Sequence, residues 1–108
     1  MANTYKVLGQ SNPSATTNTT LYTVPASTST VASTLTICNL GATTTVNVAV
    51  RPAGAALANT HYVLYNTPVN TQDTLFLTVG LSLATTDVVT VYAGTANVSF
   101  GLYGTEIS

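Results

Sequence analysis

Apolar residues alternate with small polar ones along four stretches of the chain. Leu35 and Ile37 alternate with Thr34, Thr36 and Cys38, and Val46, Val48 and Val50 with Thr45, Asn47 and Ala49. Leu75, Leu77, Val79 and Leu81 alternate with Thr74, Phe76, Thr78 and Gly80, and Val98, Phe100 and Leu102 with Ser99, Gly101 and Tyr103. Successive side chains of a strand point to opposite faces, so a period of two turns one set inward and leaves the other outside. Shorter candidates lie at 5–9, 20–24, 61–65 and 87–92, which brings the expected number to about eight strands at sandwich-like spacing. Threonine is plentiful between the apolar positions, and its β-branched side chain suits a pleated surface better than a helix interior.

Ordinary turn chemistry separates these stretches, at Asn12-Pro13, Val24-Pro25-Ala26, Asn39-Leu40-Gly41, Arg51-Pro52-Ala53-Gly54, Thr67-Pro68 and Ala93-Gly94. The segment 52–60, PAGAALANT, is too short and too interrupted by Gly54 for a helix, and reads as a loop across one end of the sandwich. The pattern therefore predicts an all-β fold, an antiparallel β-sandwich of jelly-roll or immunoglobulin-like type, over residues 20–108. Residues 1–19, rich in Asn, Ser and Thr, read as an N-terminal arm that packs on a neighbouring subunit.

Charge changes the picture more than length does. Only Lys6, Arg51, Asp73, Asp87 and Glu106 are charged among 108 residues, and the formal net charge is −1. A soluble domain ordinarily has about a quarter of its residues charged, and that charge keeps copies apart. A surface of hydroxyl and methyl groups is suited to being packed against other protein. Two basic side chains cannot neutralise a phosphate backbone, so nucleic acid is not an expected partner. The most apolar region, 74–103, is broken by Thr78, Gly80, Ser82, Thr85, Thr86, Asp87 and Thr90, short of the run of about 20 apolar residues that a membrane helix needs. No membrane association is expected. MANTYKVLGQ has no apolar run behind a basic start, so synthesis in a cytoplasm is expected. A single cysteine, Cys38, cannot form an intrachain disulfide framework and reads as a small buried or half-buried residue of a strand.

Catalysis needs tunable groups within hydrogen-bond reach of one another, and the stock is His61, three acids and one thiol. There is no G-x-S-x-G elbow, and the acids at 73, 87 and 106 are scattered where a hard cation requires several that converge. No enzyme, cofactor or metal is expected. The sequons at Asn18 and Asn97 follow from a composition rich in Asn and Thr. Six tyrosines are more informative, because a large rigid ring with a polar tip suits protein contacts and sugar-stacking platforms alike. The candidate contact residues are Tyr5, Tyr22, Arg51, His61, Tyr62, Tyr65, Tyr92 and Tyr103, with the Arg51 guanidinium expected to fork onto Asp73 or Asp87 within the subunit or across a contact.

From Leu21 to Ile107 the chain resembles a family of short virion proteins of tailed bacteriophages, including phages of cyanobacteria. The segments that carry the resemblance are LYTVPA at 21–26, TICNLGATTTVNVAVRPAG at 36–54, HYVLYNTPV at 61–69 and DVVTVYAGTANVSFGLYGTEIS at 87–108. The resemblance implies a capsid cement or decoration protein that binds and stabilises the shell of the phage major capsid protein, as a homotrimer on the virion surface. It also admits a tail or fibre component, or a head-displayed module that binds a host surface glycan.

Overall fold

Eight strands form in a computed structural model that describes residues 3–108. They are β1 (Asn3–Ser11), β2 (Thr19–Thr23), β3 (Ser29–Asn39), β4 (Thr44–Arg51), β5 (Tyr62–Val69), β6 (Thr74–Leu83), β7 (Val88–Ala93) and β8 (Val98–Ile107). The connection from β4 to β5 holds two single 3-10 turns, Pro52–Gly54 and Asn59–His61, in the segment read as a loop. Folding the chain in half about that connection lays β1 on β8, β2 on β7, β3 on β6 and β4 on β5, every pair antiparallel. The doubled ribbon then rolls, so that β8 also pairs with β3 and β7 with β4. Two four-stranded sheets result, ordered β1-β8-β3-β6 and β2-β7-β4-β5. Of the two sandwich types that the sequence left open, this nesting is the jelly roll.

The core lies between the sheets. Leu35, Ile37, Val46, Val48, Val98, Phe100 and Leu102 are buried there, and Val50, Leu75 and Leu77 pack against them half-buried, as the alternation predicts. Val24, Val69, Val89 and Val91 complete it. The polar exception at one end is Asn39, which is 1% exposed. Its side-chain NH2 donates to the carbonyls of Ala42 (2.9 Å), Val69 (3.1 Å) and Asn70 (3.1 Å), and its Oδ1 accepts from the Gly41 N–H. One buried amide thus ties the β3–β4 turn to the β5–β6 turn. At the other end Asp87 accepts from the Ala53 and Ala84 N–H groups, joining the 3-10 segment to the β6–β7 turn.

Residues 3–11, read as part of an arm, are a strand of the sandwich itself. They pair with β8 from Asn3↔Ile107 to Ser11↔Phe100, and Leu8 is buried in the core. The candidate strand at 5–9 lies within β1, but the register shifts between Val7 and Gly9, which moves the inward position to Leu8. A Cβ at Gly9 would run into the backbone carbonyl of Leu21, so glycine lets β1 lie close to β2.

All four edge strands are interrupted. β1 shifts register at Val7/Gly9 and β2 at Thr20/Tyr22. On β5, Asn66 takes a φ of 48° and Pro68 offers no N–H, and on β6 Gly80 takes a φ of 58° beside the register shift at Ala32/Thr34. Bulges and proline on edges discourage another strand from adding to the sheet.

Candidate interaction surfaces

All but Tyr92 of the candidate contact residues fall into three places. The first is the outer face of the β1-β8-β3-β6 sheet. With Leu35, Ile37, Phe100 and Leu102 inward, alternation turns Thr34, Thr36, Cys38, Ser99, Gly101 and Tyr103 outward. Tyr5 is 81% exposed at one side of this face and Phe76 75% at the other, with Val7 and Val31 also exposed. The same face holds a depression of about 460 Å³ lined by residues that include Gln10, Thr36, Cys38, Ser99 and Tyr103. Glycine at 101 lets two neighbouring side chains lie over the strand: a Cβ there would stand 2.6 Å from the Tyr103 hydroxyl and 2.7 Å from Thr36 Oγ1.

The second place is the start of β5. Tyr62 and Tyr65 meet edge to face with ring centroids 4.9 Å apart, a favoured aromatic geometry. With Asn59 they line a depression of about 330 Å³. Tyr65 is exposed and Tyr62 half-buried. His61 beside them is half-buried, and its Nδ1 accepts from the Ala58 N–H at 3.1 Å, closing the 3-10 turn that presents the pair. Arg51 holds the same loop from beneath. Its Nε donates to Thr90 Oγ1 (3.0 Å) and its Nη1 to the Ala55 carbonyl (3.1 Å). The expected fork onto Asp73 or Asp87 is not formed within the chain; the nearer acceptors are loop carbonyls, and Asp87 is engaged by backbone N–H groups.

The third place is the interior, which corrects one expectation. Tyr22 is buried, not a surface residue. Its hydroxyl donates to Glu106 Oε2 at 2.5 Å and shares a 2.8 Å hydrogen bond with Thr30 Oγ1, and Lys6 Nζ lies 3.3 Å from Glu106 Oε1. Among the described residues Lys6 and Glu106 form the one salt bridge. It joins residues one hundred positions apart at the end of the β1–β8 ladder, and the Tyr22 bond ties that end to β2. A hydroxyl–carboxylate bond this short is of the strong, charge-assisted kind. Burial first, and then the Glu106 carboxylate, push the Tyr22 phenol up to about 12. The Tyr22 hydroxyl holds the Glu106 carboxyl below its usual range, with Lys6 assisting. Tyr92 is half-buried on β7, opposite Asn47 of β4.

These shifts set two pH limits. Because folding lowers the pKa of Glu106, its contribution is complete above the unfolded value of about 4.3 and is lost as pH falls through the lower folded one. Because folding raises that of Tyr22, its contribution is complete below 10.0 and is lost as pH rises toward about 12. Tyr22→Phe is expected to cost about 1–2 kcal/mol at neutral pH. Its melting temperature should differ from that of the parent most near neutrality, with the gap narrowing at both extremes; a gap independent of pH would refute this assignment.

Among the described residues no group of three or more His, Cys, Asp or Glu side chains converges as metal ligands would, and no helix is long and apolar enough to cross a membrane. Comparisons with protein-family models, curated proteins and solved structures find no match to this chain.

Proposed function

We propose that this chain is a non-enzymatic structural protein of a phage virion, a cement or decoration protein that binds the major capsid protein on the outside of the head. The observation that carries the reading is the surface itself. Five charged side chains serve the whole chain, while Tyr5, Phe76, Tyr65 and Leu40 stand 60% exposed or more. Such a surface gains free energy when covered by protein and has little repulsion to resist it. The resemblance of the segments between Leu21 and Ile107 to virion proteins names the setting, and jelly rolls recur among viral capsid domains. Burying apolar and hydroxyl surface on two neighbouring shell proteins clamps them non-covalently. In particles of the phage that encodes it, quantitative mass spectrometry should give a copy number on the scale of the capsid protein, and purified protein should bind undecorated heads. A copy number on the scale of a tail part, or labelling confined to tails, would overturn the cement assignment.

A second reading is favoured by the Tyr62–Tyr65 pair with Asn59 at its side: a head-displayed module that binds a neutral host glycan. Lectin domains are also built on jelly rolls, and an exposed ring beside an amide is what stacking and hydrogen bonding to a sugar require. Binding to a neutral glycan that is lost in Tyr65→Ala would support this reading, and the absence of binding across a glycan array would remove it.

A further inference from the structure

We infer that the outer face of the β2-β7-β4-β5 sheet binds a neutral oligosaccharide of at least two hexose units, laid across β4 from Tyr65 to Tyr92. The inference rests on the glycan reading above and deepens it, giving the ligand a least length, a course over the sheet and a second tyrosine platform.

The geometry begins with β5. In a regular strand residues three apart point to opposite faces, yet the rings of Tyr62 and Tyr65 meet at 4.9 Å. Two bulges bring them together. Ala49 is opposite Tyr62 and Val48 opposite Leu64, so β5 has an extra residue there, Val63. Val46 is opposite Thr67, so Asn47 alone faces both Tyr65 and Asn66. Because Val46 and Val48 point into the core, Asn47 and Ala49 point outward, and Tyr62 and Tyr65 stand on that side with them. The second bulge is fastened in place: Asn66 takes a φ of 48°, and its N–H donates to Asn47 Oδ1 at 2.7 Å. Bulges commonly re-aim side chains beside binding sites, and this pair turns two tyrosines onto one face.

The same row continues on the other side of β4. Tyr92 of β7 is opposite Asn47. With Val91 and Ala93 in the core, Tyr92 also faces outward, half-buried. The row therefore runs Tyr65, Asn47, Tyr92. Strands lie about 4.8 Å apart, so roughly 10 Å of sheet separates the two tyrosines. That is more than one sugar ring covers and within reach of two or three linked ones. Asn47 lies between the platforms, and with its Oδ1 engaged by Asn66 its NH2 group is the donor on this face.

Three observations specify an uncharged, polar ligand. Arg51 is the one charged side chain at an outward position of this sheet, and it donates to Thr90 Oγ1 and the Ala55 carbonyl. The exposed outward neighbours of the row are hydroxyls, Thr20 and Thr45, so rings, amides and hydroxyls are what a ligand meets. Finally, this face lies on the opposite side of the sandwich from Tyr5 and Phe76, so a chain seated on other protein through that apolar side still presents the tyrosine row.

Isothermal titration of the full chain with neutral hexasaccharides of glucose, galactose, mannose and N-acetylglucosamine, beside the four monosaccharides, tests this. At least one hexasaccharide should bind, roughly a hundredfold more tightly than its monosaccharide. Tyr65→Ala and Tyr92→Thr should each weaken it roughly tenfold, and Phe76→Ser, on the other sheet, should leave it unchanged. Amide NMR spectra of the parent serve if Tyr92→Thr is poorly folded: the hexasaccharide should shift the Asn47 and Tyr92 signals, and the monosaccharide should not. Equal affinity for monosaccharide and hexasaccharide, or unaltered affinity in folded Tyr92→Thr, would overturn the inference and leave the glycan reading standing. No binding by any of the four hexasaccharides would overturn the inference, and an empty glycan array would remove the reading beneath it as well. Loss of attachment to undecorated heads in Tyr65→Ala and Tyr92→Thr, without saccharide binding by the parent, would mark the face as a protein contact and would also overturn the inference.

Discussion

Val48→Asp should yield no folded protein. Val48 is fully buried on β4, between Val91 of β7 and Leu64 of β5, and the positions around it are methyl groups without a cation or donor to receive a carboxylate. An unpaired buried charge costs several kcal/mol even after its pKa shifts to neutralise it, and the loss of valine packing adds to that. Domains of this size have about 5–15 kcal/mol in total. The far-UV spectrum should lose its β signature and the soluble yield should collapse. Val48→Thr, which nearly preserves shape, should remain folded with a loss of about 1–3 kcal/mol from its buried hydroxyl. A cooperative melt from Val48→Asp near that of the parent would show that the sheets do not close over this position.

Asn39→Asp changes one atom and should be nearly as damaging. The two N–H bonds of the Asn39 amide are shared among three carbonyls in and beside two different turns. A carboxylate of the same shape would present a negative oxygen to those carbonyls in a site closed to water. Each buried group left unsatisfied costs about 1–3 kcal/mol, and more where a charge is involved, so a loss of about 3–5 kcal/mol is expected at neutral pH. Burial among acceptors raises the pKa of such a carboxyl, because its neutral form can donate once. The deficit relative to the parent in urea unfolding should therefore shrink as pH is lowered. An equal deficit at all pH values would mean that the amide matters through its packing and not its donors.

Both variants illustrate what alternation can and cannot convey. The inward positions of β3, β4, β6 and β8 were legible because a two-residue period reports directly on which face is shielded from water, and Val48 stands in such a run. Asn39 continues the inward series of Leu35 and Ile37, yet a polar residue beside Leu40-Gly41 reads as turn chemistry. Its three acceptors come from 42, 69 and 70, and no local pattern brings those together. β1 was legible only as a short candidate at 5–9; its register shift and its polar neighbours mask the one buried residue, Leu8, and with it the place of the strand in the sandwich.

Among the tyrosines, Tyr5 and Tyr65 are exposed, whereas the buried position of Tyr22 was decided by Glu106 and Thr30 on strands remote in sequence. The strand number, the sandwich and the scarcity of surface charge were determined by the sequence alone, because side-chain chemistry and a local period suffice for them. The nesting of strand pairs into a jelly roll, the closure of Lys6, Glu106 and Tyr22, the clamp of Arg51 on its own loop, and the placing of Tyr65 and Tyr92 on either side of Asn47 were decided only by the tertiary structure. Each depends on which strands become neighbours, and that is settled by how the whole ribbon buries its apolar face, a property of all eight strands together and of none in isolation.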